Sequence, residues 1–283
     1  MTKLQYTFKT DTLFKLLFTK YPDLLKRLVA ALLGIQYELI EQFSITNPEI
    51  SPEELGKKFC RLDINMTVNG QIIDLEVQVS NEGNYPVRTL FYWAREFSTG
   101  LDEGEDYSLL PRTIVISIVN FNLFTDPQKY HSEFQVLEVT SHEPLTDKMV
   151  LHFFELKKLP PLDVTDNSRD LWLKLFKADT EEELTIIEEM GVPIMSEAIV
   201  AYRHISASPE FKEIERMRSK ARHDEAQALN NARLEERAIW QGVVAEKDAE
   251  WQGVVAEKDA EWQGVVAEKD AEIAKLRAQL GKK

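Results

Sequence analysis

Residues 61–79 constrain this chain more tightly than any other segment. They read Arg61-Leu-Asp-Ile-Asn-Met-Thr-Val68, Asn69-Gly70, Gln71-Ile-Ile-Asp-Leu-Glu-Val-Gln-Val79. Asn-Gly between two alternating runs signals a hairpin closed by a two-residue type I′ turn. That turn sets Val68 against Gln71 and therefore Asp63 against Glu76. Leu62, Ile64, Met66, Val68, Ile73, Leu75, Val77 and Val79 then share one face. Arg61, Asp63, Asn65, Thr67, Asp74, Glu76 and Gln78 share the other, with Gln71 and Ile72 fitting poorly beside the turn. A slip of one residue would mix the two sets.

The register puts like charges face to face. Opposed residues have Cβ atoms roughly 4.5–5.5 Å apart, and like charges there destabilise the pair. A divalent cation between the two carboxylates would remove the repulsion. Mg²⁺ takes oxygen ligands at about 2.0–2.1 Å and often uses one or two carboxylates. The competing account is a solvated polar face relieved by Arg61. Gln78 follows Glu76 by two residues and shares its face.

The rest of the chain predicts an α/β fold with a mixed sheet. Asp11 to Gly34 reads as a helix or a helical pair, divided at Tyr21-Pro22, with Asp11 as a cap and Gly34 as a stop. Its core stripe is Leu13, Phe14, Leu17 and Phe18, then Leu24, Leu25, Leu28, Val29, Leu32 and Leu33. Residues 44–58 read as a connecting loop. Val87 to Leu101 reads as a helix burying Leu90, Phe91, Ala94 and Phe97. Thr113 to Val119 is a β-branched run suited to a strand buried on both faces. Phe134–Val139 and Leu151–Leu156 are further strands, and Asp170 to about Ser206 is helical. The expected division is residues 1–208 for the folded domain and 209–283 for a helical tail.

That tail holds a perfect repeat. Trp-Gln-Gly-Val-Val-Ala-Glu-Lys-Asp-Ala-Glu occurs at 240–250, 251–261 and 262–272. A period of 11 gives about 3.67 residues per turn, close enough to a straight helix that Trp, Val and Val of each unit stay on one stripe. Each Gly costs roughly 1 kcal/mol against Ala in a helix. A helical oligomerisation or spacer segment and a duplicated tract without a selected role are both open.

Charge and composition narrow the partners. The chain carries 34 Lys plus Arg against 48 Asp plus Glu, a net of −14. Residues 211–283 hold 14 basic and 15 acidic side chains, so the excess lies in the first 210 residues. That excess opposes passive nucleic-acid binding, which needs a basic footprint. No run of 18 apolar residues predicts a membrane span. Cys60 is the only cysteine, and the opening residues lack the apolar core of a signal peptide, so a cytoplasmic location is expected. The five histidines show no metal-ligand spacing.

Other polar residues extend the hairpin. Arg88 and Tyr92 are four apart on one helix face, as are Asp11 and Lys15. Two carboxylates, an amide, a guanidinium and a phenol suit metal-assisted phosphodiester hydrolysis. Each also has a plainer reading, as a helix cap, a surface cation or a core-edge ring.

Here the sequence resembles the recombination-promoting nuclease and transposase family of the PD-(D/E)XK superfamily. The resemblance rests on Asp11-x-x-Phe14-Lys15, Leu62-Asp-Ile64, Asp74-Leu-Glu-Val-Gln78, Arg88-x-x-x-Tyr92-Trp93, Tyr107-Ser-Leu-Leu-Pro111, Phe154-Glu-Leu-Lys-Lys158 and the Arg-rich helical tail. It covers roughly residues 8 to 235. It implies a restriction-endonuclease-like core, Mg²⁺ dependence and DNA cleavage. Asp63 and Glu76 match the acidic metal ligands, and Gln78 the third signature position, where the superfamily most often has Lys. Arg88 and Tyr92 resemble a helix pair of related exonucleases, with Arg in place of Gln. The resemblance therefore implies a Mg²⁺-dependent DNA endonuclease, and the repeats of the tail add the expectation of a homo-oligomer. The rivals are a catalytically inactive relative that binds DNA or protein, and an assembly protein built around the tail.

Overall fold

The computed structural model describes residues 2–47, 63–81, 83–101, 103–163 and 167–280, with side chains as far as residue 277. The Arg61, Leu62 and Cys60 positions and most of the expected 44–58 loop lie outside these residues.

The N-terminal stripe forms two helices, α1 (Asp11–Lys20) and α2 (Pro22–Leu33). Pro22 opens α2 where its missing N–H costs nothing, and Gly34 closes it at φ 70, in the left-handed region. Thr10, not Asp11, occupies the N-cap of α1. Asp11 is the first helical residue, where the helix dipole favours its charge.

A short strand β1 (Phe43–Ile45) follows, then the hairpin β2 (Ile64–Val68) and β3 (Gln71–Gln78). Val68 pairs with Gln71 and Ile64 with Leu75, as the turn requires. Asn69 and Gly70 both have positive φ, which a type I′ turn demands. Asp63 immediately precedes the ladder, next in the register that leads to Glu76.

Helix α3 (Tyr85–Ser98) precedes β4 (Thr113–Val119), which is buried along its whole length. β5 (His131–Leu137) and β6 (Pro144–Glu155) form a second hairpin. β6 starts before the expected Leu151 because its first half is an exposed ribbon carrying Asp147 and Lys148. The sheet order is β1-β2-β3-β4-β6-β5. β3–β4 and β4–β6 are parallel and the other pairs antiparallel. The fold is thus α/β with a six-stranded mixed sheet, consistent with a restriction-endonuclease-like core.

Helices α4 (Ser168–Lys177), α5 (Glu181–Glu189) and α6 (Pro193–Ala207) complete the larger core with α1 and α2. Ile64, Met66, Ile73, Leu75, Ile114, Ile116 and Ile118 enter it from the sheet. The other face carries a small cluster of Tyr85, Val115, Val119, Phe121, Leu151 and Phe153, flanked by Trp93.

α3 turns a different face inward than its apolar spacing suggests. Leu90 and Phe91 are 45% and 62% exposed, while Tyr85 and Thr89 are buried. The helix is aromatic nearly all round, so spacing alone does not choose a face. Polar handles choose it: the Trp93 indole donates to Thr113 O at 3.0 Å, and the Tyr85 phenol also finds a buried acceptor. A buried Trp or Tyr needs such a partner, and Leu or Phe does not.

The last helix, α7, runs Pro209–Leu280. Two compact units are distinguished, residues 1–221 and 222–283, so the start of α7 belongs with the sheet. There Glu215 accepts from Thr12 and Arg218 pairs with Asp11 at 3.2 Å. From residue 226 to residue 277 the side chains of α7 are exposed. Among the described residues no helix is long and apolar enough to cross a membrane.

Candidate functional site

The polar face of the hairpin is buried along the middle of β3. Asp74 and Glu76 are 4% and 3% exposed, because α3 and the small aromatic cluster cover that side of β3. β4 lies beside them in parallel register, with Val115 next to Asp74 and Ser117 next to Glu76. The Ser117 hydroxyl is fully buried and has no hydrogen-bond partner among the described residues.

Asp63, Asp74 and Glu76 form one electrostatic group. The Asp74 carboxyl is pushed well above its usual range, first by burial and then by the charges of Asp63 and Glu76. Asn65 sits between two of them. In the orientation that satisfies both neighbours, its amide nitrogen donates to Asp74 Oδ1 and Asp63 Oδ2, each at 2.9 Å. The backbone at Asp63 is pinned as well. Lys15 Nζ and Asn47 Nδ2 donate to Asp63 O at 2.7 and 3.2 Å, and Asn47 Oδ1 accepts from Asn65 N at 2.7 Å. Lys15 is 2% exposed, so it is an interior cation at the end of β2 and not a solvated helix residue.

Asp74, Asn65, Ser117 and Tyr85 are members of this neighbourhood that the hairpin reading did not single out. Asp74 and Asn65 lay on the assigned polar face, and period two alone would have included them. Ser117 required the β3–β4 pairing, and Tyr85 the docking of α3. Neither pairing is visible in local sequence. The Tyr85 hydroxyl donates to Glu76 Oε2 at 2.9 Å.

The remaining candidates divide. Gln78 is half-buried and its Nε2 donates to Ser80 O at 2.8 Å. Arg88 is half-buried, its guanidinium 5.0 Å from the centre of the Tyr85 ring, one side chain removed from Glu76. Tyr92 is half-buried and packs edge-on against Phe91. Asp11 pairs with Arg218 of α7. Burial raises its pKa against the opposing pull of that Arg.

These donors fit a hard divalent cation. Carboxylates, an amide oxygen and a hydroxyl are the oxygen ligands that Mg²⁺ prefers, and a cation would relieve the repulsion that raises Asp74. Among the described residues no three His, Cys, Asp or Glu side chains close into a ready-made cage. That is the usual case for Mg²⁺, which keeps several waters.

Comparison with known families adds a decisive match. The family model described as PD-(D/E)XK nuclease family transposase matches residues 8–232. The chain belongs to this family. No curated protein and no solved structure matches the chain. Membership in this nuclease transposase family supports a nuclease or mobile-element role and a DNA substrate, and nucleases of this superfamily generally use divalent cations.

Outside the hairpin, the strands make a pair that sequence spacing hides. His131 Nε2 and His152 Nδ1 are 3.0 Å apart across β5–β6. Burial first, then the neighbouring imidazole, lowers His131 to about 4. His152 is lowered chiefly by burial.

Proposed function

We propose that the chain is a Mg²⁺-dependent DNA endonuclease that hydrolyses phosphodiester bonds and serves recombination or element mobility. The observation that carries this reading is the carboxylate group of half-buried Asp63 and buried Asp74 and Glu76 at one end of the hairpin, in a chain of a nuclease family. Asp63 and Glu76 hold the cation. When bound, the cation polarises a phosphoryl oxygen and lowers the pKa of water. Gln78 orients the attacking water through Oε1, since its Nε2 is engaged by Ser80. Arg88 offers charge to a phosphate, and Lys15 holds the strand end that carries Asp63.

One observation favours a second reading, an inactive relative that binds DNA or protein. Gln78 stands where the superfamily most often has Lys, and it brings no cationic charge to the transition state. Plasmid cleavage with and without Mg²⁺ separates the two. Wild-type protein is expected to cut only with Mg²⁺, and Asp63→Ala and Glu76→Ala to abolish cutting. Activity that survives both substitutions rules out this site.

The tail is proposed as the self-association element. Trp240, Trp251 and Trp262 are 61%, 66% and 66% exposed, and the Val pairs of each unit share their stripe. A second copy of the segment is the occupant whose period matches this stripe throughout. Truncation after residue 235 is expected to shift light scattering toward monomer while leaving the cleavage chemistry intact. An unchanged mass would assign the repeats no part in assembly.

A further inference from the structure

Tyr85 begins α3 with its ring fully buried and its hydroxyl 2.9 Å from Glu76 Oε2. The ring is fixed from several directions. It stands edge-on to Phe121 at 5.8 Å and to Phe153 at 6.2 Å, and the Arg88 guanidinium lies 5.0 Å from its centre. Pro86 restricts the backbone just after it.

The seat of that ring is clamped in turn. Glu155, at the end of β6, accepts from Leu123 N at 2.5 Å and Phe124 N at 3.2 Å. Lys158 Nζ donates to Glu155 Oε2 at 2.8 Å and to Phe124 O at 2.7 Å. These side chains are 0% and 4% exposed. A buried ion pair is weak evidence for stability, because desolvation offsets its attraction. Here it tethers the segment that presents Phe121. Asn120 N, next to Phe121, donates to Gln78 O at 2.9 Å, so the same segment is also tied to the end of β3.

A phenylalanine at 85 would fill the same apolar cluster without a hydroxyl to desolvate. What the hydroxyl adds is a fixed orientation for one carboxylate. We propose that Tyr85 is a positioning residue for the divalent cation: by holding Glu76 Oε2 it fixes the orientation of the carboxylate that would ligate the metal. The proposal rests on the metal-binding reading of Asp63 and Glu76. Hydrogen bonds to ligating carboxylates fix their orientation, and their loss typically costs about 10–100-fold in metal affinity or activity.

The test is Mn²⁺ binding to the full-length protein, followed by the electron paramagnetic resonance signal of free Mn²⁺. Tyr85→Phe is expected to weaken binding about 10–100-fold, to raise the Mg²⁺ midpoint for cleavage by a similar factor, and to recover near-wild-type rates at saturating Mg²⁺. Thr89→Val is the control. It removes another buried hydroxyl of α3, one bonded to Tyr85 O at 3.0 Å, and should leave Mn²⁺ affinity unchanged. Phe121→Leu keeps the phenol but loosens its seat and should weaken binding by less. It carries the test if Tyr85→Phe does not fold. Wild-type affinity in Tyr85→Phe, or an equal loss in Thr89→Val, overturns the proposal. Wild-type protein that binds no Mn²⁺ overturns the metal reading itself, and the role of Tyr85 with it.

Discussion

The two faces of β3 bury opposite chemistry. Ile73 and Leu75 enter a core shared with α1, α2, α4, α5, α6 and the start of α7, while the interleaved Asp74 and Glu76 lie under α3 against a small aromatic cluster. Both faces are buried, so solvent does not distinguish them. One face gains by removing apolar area from water. The other gathers like charges in a place where they repel. A strand can carry such a liability only if its opposite face is strongly anchored, and here the anchor is the larger core.

Adjacent substitutions on β3 sharpen that contrast. Leu75→Ala should cost about 2–5 kcal/mol, the range for a buried leucine that leaves a cavity. Asp74→Asn should stabilise the metal-free protein by up to about 1 kcal/mol, since it keeps the shape and removes a repelling charge. Denaturant titration of both variants without metal checks the pair. Equal destabilisation would mean that the polar face is as structural as the apolar one.

Gln78→Ala tests whether the polar face acts through more than its carboxylates. A loss on the order of 10²-fold in cleavage rate is expected, the scale of one positioned group. Gln78→Lys should retain or raise the rate. An unchanged rate for the alanine variant would confine the chemistry to Asp63 and Glu76.

The smallest expected effect lies at the far edge of the sheet. His131 and His152 face Glu133 from β5, Arg169 from α4, Lys129 and Arg112. Burial lowers the pKa of both imidazoles, that of His131 to about 4. For His131, unfolding below about pH 6.5 takes up a proton, so its contribution is present above that pH and is lost as pH falls toward about 4. Relative to His131→Phe, the wild-type melting temperature should fall across this window. Parallel curves would remove His131 from the linkage.

Much of this was legible because its causes are local. Asn69-Gly70 fixes a turn, the turn fixes a register, and the register brings Asp63 toward Glu76. The apolar stripes of α1 and α2 and the β-branched run of β4 declare themselves in the same way. What escaped depends on contacts between distant segments. The sequence gives no hint that α3 hides Leu90's neighbours on one side and exposes Leu90 and Phe91 on the other. Ser117 becomes a neighbour of Glu76 only through a parallel pairing, and Asp11 meets Arg218 only when α7 docks. His131 and His152 meet only across a ladder.

The distribution of tryptophan has a spectroscopic consequence. Trp172 is fully buried and Trp93 half-buried with its indole bonded to Thr113, whereas Trp240, Trp251 and Trp262 stand in solvent along α7. Indole emission shifts to the blue in apolar surroundings and to the red in water. One emission spectrum therefore carries two reporters, a blue shoulder from the sheet-containing unit and a red band from the repeats. Dissolved quencher reaches the second far more readily, so the melting of the sheet-containing unit and any change in the surroundings of the repeats can be followed separately in the unlabelled protein.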